Sequence, residues 1–116
     1  MSWDVKERQV GAVTVLELNG RLTMGAGSEA LYENLRNLIA AGRTSLLLDC
    51  RQVEAIDSQG IQTILRGVRL AKDGGGQLKL LKLSPRMYEA LRITRLLPIL
   101  ETFEEEDSAL RSFASK

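Results

Sequence analysis

The stretch that most constrains this chain is Leu46-Leu47-Leu48-Asp49-Cys50, a near-continuous apolar run of strand length. Such a run is the pattern of a strand buried on both faces in a parallel sheet. A short connection follows it, and then Ile56-Asp57-Ser58-Gln59-Gly60-Ile61 leads towards Leu65. Beyond that turn Ile61, Ile64, Leu65 and Val68 recur at the three- and four-residue steps of one helix face. Ser58 stands where the helix should begin. It is read as the N-cap, with its hydroxyl near the surface among backbone N–H groups that no carbonyl satisfies.

The rest of the chain supplies the neighbours such a strand needs. Trp3 to Gln9 alternates apolar and polar residues like a half-exposed strand, Val10-Gly11-Ala12 turns, and Val13 to Leu18 is a second strand. Asn19-Gly20 marks a break. Gly25-Ala26-Gly27-Ser28 leads into a helix with the stripe Leu31, Leu35, Leu38 and Ile39, ending at Ala41-Gly42. After the central strand, the helix from Ser58 runs to about Lys72, and Asp73-Gly74-Gly75-Gly76 reverses the chain. Leu78 to Leu83 reads as a strand. Ser84-Pro85 then starts a short helix with Met87, Ala90, Leu91 and Thr94 on its inner face, stopped by Leu97-Pro98. Ile99 to Phe103 is a last strand and Glu104 to about Ala114 a last helix, with Glu104 to Asp107 in a first turn that suits negative charge. The order β-β-α-β-α-β-α-β-α means one α/β domain over residues 1–116. Its sheet is mostly parallel, with an N-terminal antiparallel hairpin and right-handed crossovers.

Composition removes several classes of function. The 16 basic and 15 acidic side chains leave a net charge of +1 without clustering, which argues against direct nucleic-acid binding. No apolar run is long enough to span a bilayer, and no signal-peptide core follows the N-terminus. Cys50 is the only cysteine, so no intrachain disulfide can form and a reducing cytoplasm is the expected compartment. Its place at the end of the leucine run makes it a core residue. There is no histidine, which excludes histidine triads, histidine–metal sites and imidazole proton shuttles. No cofactor is implied.

Among the glycine-rich stretches, Gly25-Ala26-Gly27-Ser28-Glu29-Ala30 matches a dinucleotide fingerprint, but Asn19 to Met24 separates it from the preceding strand. The fingerprint needs its glycines directly after a strand, so this one is read as a flexible start to a helix. The triple glycine at Gly74 lacks the lysine and hydroxyl residue that close a phosphate loop. Consecutive carboxylates from Glu104 point in different directions on a helix and form no metal site.

Asp57-Ser58-Gln59-Gly60 remains. One reading is helix capping alone, with Gly60 allowing the turn close to neighbouring backbone. The other is a modification switch. A phosphate on Ser58 would add about −1.5 to −2 charges at a helix N-terminus that tolerates them, leaving the fold intact while repelling an acidic partner group.

Leu48-Asp49-Cys50 followed by Ile56-Asp57-Ser58-Gln59-Gly60-Ile61 and Ile64-Leu65 resembles the signature of STAS domains, specifically the bacterial anti-sigma-factor antagonists. The likeness extends to the opening hairpin, Asn19-Gly20-Arg21-Leu22, Gly75-Gly76 before a strand, and Leu83-Ser84-Pro85. It implies partner switching. The unphosphorylated antagonist binds an anti-sigma factor that is a serine kinase, phosphorylation of Ser58 releases it, and a serine phosphatase resets the switch. The resemblance makes Ser58 the acceptor and Asp57 its neighbour. It places Gln59, Gln62 and Arg66, with Thr23 and Met24 in the preceding loop, on the docking face. Two departures stand out: Gln59 occupies a position often filled by serine or threonine, and Leu22-Thr23-Met24-Gly25 lacks the aspartate often found there. A second role the family implies is a structural subunit of a stress-sensing or lipid-transport assembly, without a working switch. Neither role is enzymatic.

Overall fold

The computed structural model describes residues 3–114. The leucine run lies at the centre of a five-stranded sheet whose order follows the chain, β1-β2-β3-β4-β5. The strands are β1 (Trp3–Val10), β2 (Val13–Leu22), β3 (Ser45–Ile56), β4 (Gln77–Leu81) and β5 (Thr102–Phe103). β1 and β2 form the antiparallel hairpin, and every later pairing is parallel. The crossovers are α1 (Ala26–Ala40), α2 (Ser58–Asp73) and α3 (Pro85–Ile93), the last followed by a single 3-10 turn (Leu97–Ile99), and α4 (Glu106–Ala114) closes the described chain.

Strand alternation sorts the core onto two faces. Leu16, Leu18, Leu46, Leu48, Cys50, Leu78 and Leu80 meet Leu31 and Leu35 of α1, Ile64 and Ala71 of α2, and Met87 and Leu91 of α3. On the other face Val13, Val15, Leu47 and Leu81 meet Ala109, Leu110 and Phe113 of α4. Cys50 belongs to the first core, and burial pushes its thiol pKa well up. Thus the leucine run is buried on both faces, as its composition requires.

Several boundaries differ from the sequence reading, and α4 begins at Glu106, so that only Glu106 and Asp107 of the acidic run lie in its first turn. β3 continues unbroken from the leucine run to Ile56, where a connection was expected. Between the pairs Glu17↔Asp49 and Leu22↔Ile56 it carries two more residues than β2, taken up at two irregularities in register. These bulges keep Cys50, Val53 and Ile56 facing the helices at three-residue steps, which breaks the alternation by which a strand is recognised. β2 runs through Asn19-Gly20 to Leu22, because Gly20 pairs with Val53 rather than turning. β4 stops at Leu81, and the expected last strand shortens to Thr102–Phe103 after the 3-10 turn. Thr94 lies just past α3 and is exposed, its hydroxyl donating back to Ala90 O at 2.8 Å. By contrast, Ser84 caps α3 as expected, its Oγ accepting from Met87 N.

Polar pins hold α4 to the sheet. Arg8 donates to both carboxylate oxygens of Glu106 (2.6 and 3.0 Å) and to Glu17 (2.8 Å), and the two acids hold its pKa above the ordinary value. Lys79, 3% exposed, lies under the same helix. Its Nζ donates to Ser112 Oγ (2.8 Å), pairs with Glu101 (3.0 Å) and stands 4.6 Å from the Phe113 ring centre. Packing of its stem should outweigh its charge, because the Glu101 carboxylate is more than half exposed and solvent screens the pair. Lys79→Met should therefore stay within about 1.5 kcal/mol of wild type, and Lys79→Ala should lose about 2–5 kcal/mol, both read by urea denaturation.

Candidate functional site

The register that joins Leu22 to Ile56 brings the ends of β2 and β3 side by side. The loop Thr23–Gly25 and residue Asp57 therefore emerge together at the carboxyl ends of the parallel strands. Asp57 is extended (φ −126°, ψ −171°), whereas Ser58 is already helical, so the N-cap of α2 is Asp57 and not Ser58. The Asp57 carbonyl accepts the first intrahelical bond from Ile61 N at 3.0 Å, and its Oδ1 accepts from Gly60 N at 3.0 Å. Aspartate and serine are comparable caps in isolation. Here aspartate prevails because its second oxygen has another donor within reach: Met24 N–H, at 2.9 Å from Oδ2. One carboxylate thus ties the loop after β2 to the first turn of α2.

Electrostatics follow from this placement. Partial burial pushes the Asp57 carboxyl pKa up, but N–H donors from Met24, Gly60, Gln59 and Asp57 itself push it down further, and it ends below the usual value. The helix N-terminus favours the same anionic state. Gly60 is buried, and a Cβ there would overlap Leu22 O and press on Ile56 Cγ1 at 2.9 Å. The close approach expected of this glycine is therefore real, and its neighbour is the end of β2.

The other expected site residues spread outward from this knot. Ser58 is the first residue of α2 and is exposed, so its hydroxyl is presented to solvent rather than engaged as the cap. Gln59, Gln62 and Arg66 are exposed along α2, with Ser58, Gln62 and Arg66 on one stripe at four-residue steps. Thr23 is half-buried, while Met24 is 71% exposed beside the cap. Sequence reasoning missed Tyr32, whose ring lies 5.6 Å from the Arg66 guanidinium and joins α1 to this surface. Its place on the helix before gave no signal, since the cation–π contact depends on how α1 and α2 pack. Tyr32, Leu65, Arg66, Arg69 and Leu70 line a groove of about 400 Å³ between the two helices.

The dinucleotide-like glycines need one correction. β2 ends at Leu22, so only Thr23 and Met24 precede Gly25, not six residues. The spacing alone is thus less telling than the sequence suggested. Packing accounts for Gly27, because a Cβ there would overlap Arg21 O. Among the described residues no three His, Cys, Asp or Glu side chains converge on a possible metal position, and no helix is long and apolar enough to cross a membrane.

Residues 5–101 match the family described as Mlab, STAS domain. The chain belongs to the STAS domain family. Solved structures share this STAS fold across nearly the whole chain. A putative anti-sigma factor antagonist from Thermotoga maritima superimposes with a TM-score of 0.81 at 19% identity, covering 95% of this chain and 94% of that one. An anti-sigma factor antagonist from Mycobacterium paratuberculosis gives 0.81 at 19% identity over 98% and 96%. The Bacillus cell fate determinant SpoIIAA in its phosphorylated form gives 0.72 at 20% identity over 96% and 98%. No curated protein sequence matches.

Capping by Asp57 rather than Ser58 can be measured. Asp57→Ala should destabilise the protein by about 1–2 kcal/mol, while Ser58→Ala, at an exposed first-turn position, should change stability by no more than about 0.5 kcal/mol. Gly60→Ala should lose about 1–3 kcal/mol through overlap with β2. The lowered Asp57 pKa gives the sign of the pH dependence: its contribution is complete above the unfolded carboxyl pKa of about 4 and is lost as pH falls through the lower folded value. The gap between wild type and Asp57→Ala should therefore narrow below about pH 4 in acid denaturation series.

Proposed function

We propose that this STAS domain is an anti-sigma-factor antagonist that works by partner switching. Unmodified, it binds an anti-sigma factor that is itself an ATP-dependent serine kinase, and so frees the sigma factor. The kinase transfers the γ-phosphoryl of ATP to Ser58 Oγ, ADP departs, and the modified protein is released until a serine phosphatase removes the phosphate. In this reading residues 1–116 act as one cytoplasmic unit with no catalysis of their own, and contact with nucleic acid is left to the sigma factor.

The observation that carries the proposal is an exposed serine at the first position of a helix whose cap is a different residue. Modification of Ser58 removes no capping group from the chain, so the acceptor can change charge while the helix end keeps an acceptor. Around it Met24, Gln59, Gln62 and Arg66 offer a mixed apolar and polar surface of the kind a protein partner covers. A phosphate there adds about −1.5 to −2 charges beside the Asp57 carboxylate. A partner surface fitted to a neutral serine then meets a desolvated dianion.

A second reading, a docking subunit of a larger assembly with no working switch, is supported by the likeness to SLC26A9, in which this fold covers 20% of a much longer chain (TM-score 0.74 at 14% identity). The two part on one experiment. Incubation with a cognate anti-sigma kinase and ATP should add one phosphate, lost in Ser58→Ala, and phosphorylation should weaken the complex at least about tenfold. Phosphate on another residue would defeat the site assignment. Stable incorporation into an assembly, unchanged by Ser58→Asp on size-exclusion chromatography, would favour the docking subunit.

A further inference from the structure

We propose that Asp57 is a latch through which the charge on residue 58 sets the position of the Met24 loop, so that a phosphate on Ser58 lets that loop go. The inference concerns regulation of the site just described and rests on the reading of Ser58 as a modified residue. It is motivated by the division of labour within one carboxylate: Oδ1 serves the helix through Gly60 N–H, and Oδ2 serves the loop through Met24 N–H.

The loop's other backbone bonds belong to its flanks. Thr23 O accepts from Ser28 N at 3.3 Å and Gly25 O from Glu29 N at 3.0 Å, anchoring both sides of Met24 to the start of α1. Met24 itself, with its side chain 71% exposed, gains little from packing. Its tie to α2 is the bond to Asp57.

A phosphate on Ser58 enters the space this carboxylate serves. It is attached one residue further along, at the first turn of α2, where the amide N–H groups that serve the Asp57 carboxylate are available to any anion. The dianion brings three acceptor oxygens to those N–H groups. It also repels the neighbouring carboxylate. The helix end keeps an acceptor in either state, now the phosphate in place of Asp57. Met24 N–H does not, because its partner has been displaced. The docking face then changes shape as well as charge, since the exposed Met24 side chain is no longer held beside residue 58.

The test requires no kinase, so the latch and the identity of the modified residue can fail separately. Phosphoserine is placed at position 58 of the full chain during synthesis by codon reassignment, and amide exchange with water is followed by ¹⁵N NMR. Asp57→Asn is the reference for an open latch, because the side-chain amide has one acceptor oxygen for two donors. Met24 amide exchange should quicken about tenfold in both proteins, the loss expected for one hydrogen bond to a charged acceptor, while Gly60 stays protected in the phosphoserine protein. A Met24 amide that moves in Asp57→Asn but not with phosphoserine would overturn the proposal, as would one that moves in neither. Collapse of the spectrum on phosphorylation would overturn it too, because the helix end would then have lost its acceptor.

Discussion

A single carboxylate joins two segments 33 residues apart, and the whole candidate site depends on it. Asp57 accepts from Gly60 at the start of α2 and from Met24 after β2. That geometry exists because Leu22 and Ile56 are register partners, so the two strands end together. The register in turn depends on the two extra residues of β3, which let a strand buried on both faces continue past the polar pair Arg51-Gln52 without turning its apolar side outward. Gly60 completes the arrangement by allowing the first turn of α2 to lie against Leu22 O. Backbone geometry, a glycine and one acid thus place a serine hydroxyl at the surface.

This construction separates what holds the fold from what carries the signal. The helix cap is Asp57, the core beneath is Leu22, Ile64 and their neighbours, and Ser58 contributes to neither. Far from the site, α4 is held to the opposite sheet face by Arg8 with Glu106 and by the buried Lys79. Adding charge at residue 58 therefore perturbs a local field without disturbing these pins, and at ordinary salt its reach is about one Debye length of 8–10 Å. That range takes in Asp57 and Met24 in the first instance, which is why the response to modification is expected in the loop and in a bound partner.

Much of this was legible in the sequence where one physical signal dominates. The leucine run, the helical stripe from Ile61, the Ser84-Pro85 helix start and the order of elements all followed from hydrophobic period and capping chemistry. The reading failed where tertiary pairing decided the outcome. Asn19-Gly20 looks like a break until Val53 pairs with Gly20 across the sheet. Cys50 to Ile56 looks like a connection because bulges destroy the alternation on which strand recognition rests. Asp57 and Ser58 are equally good caps by residue type, and only the Met24 N–H, brought in by the register, favours the acid. Tyr32 was invisible for the same reason, since the packing of α1 on α2 places its ring by Arg66.

The central claim is that the Asp57 carboxylate bonds both elements at once, and hydrogen-bond scalar coupling tests it most directly. A long-range HNCO experiment on the labelled protein near neutral pH should show cross-peaks from the amide nitrogens of both Met24 and Gly60 to the Asp57 side-chain carboxyl carbon. A Gly60 cross-peak without a Met24 one, in a spectrum sensitive enough to show backbone hydrogen bonds of like length, would contradict the account. Asp57 would then be an ordinary helix cap, and the loop would stand beside Ser58 unattached.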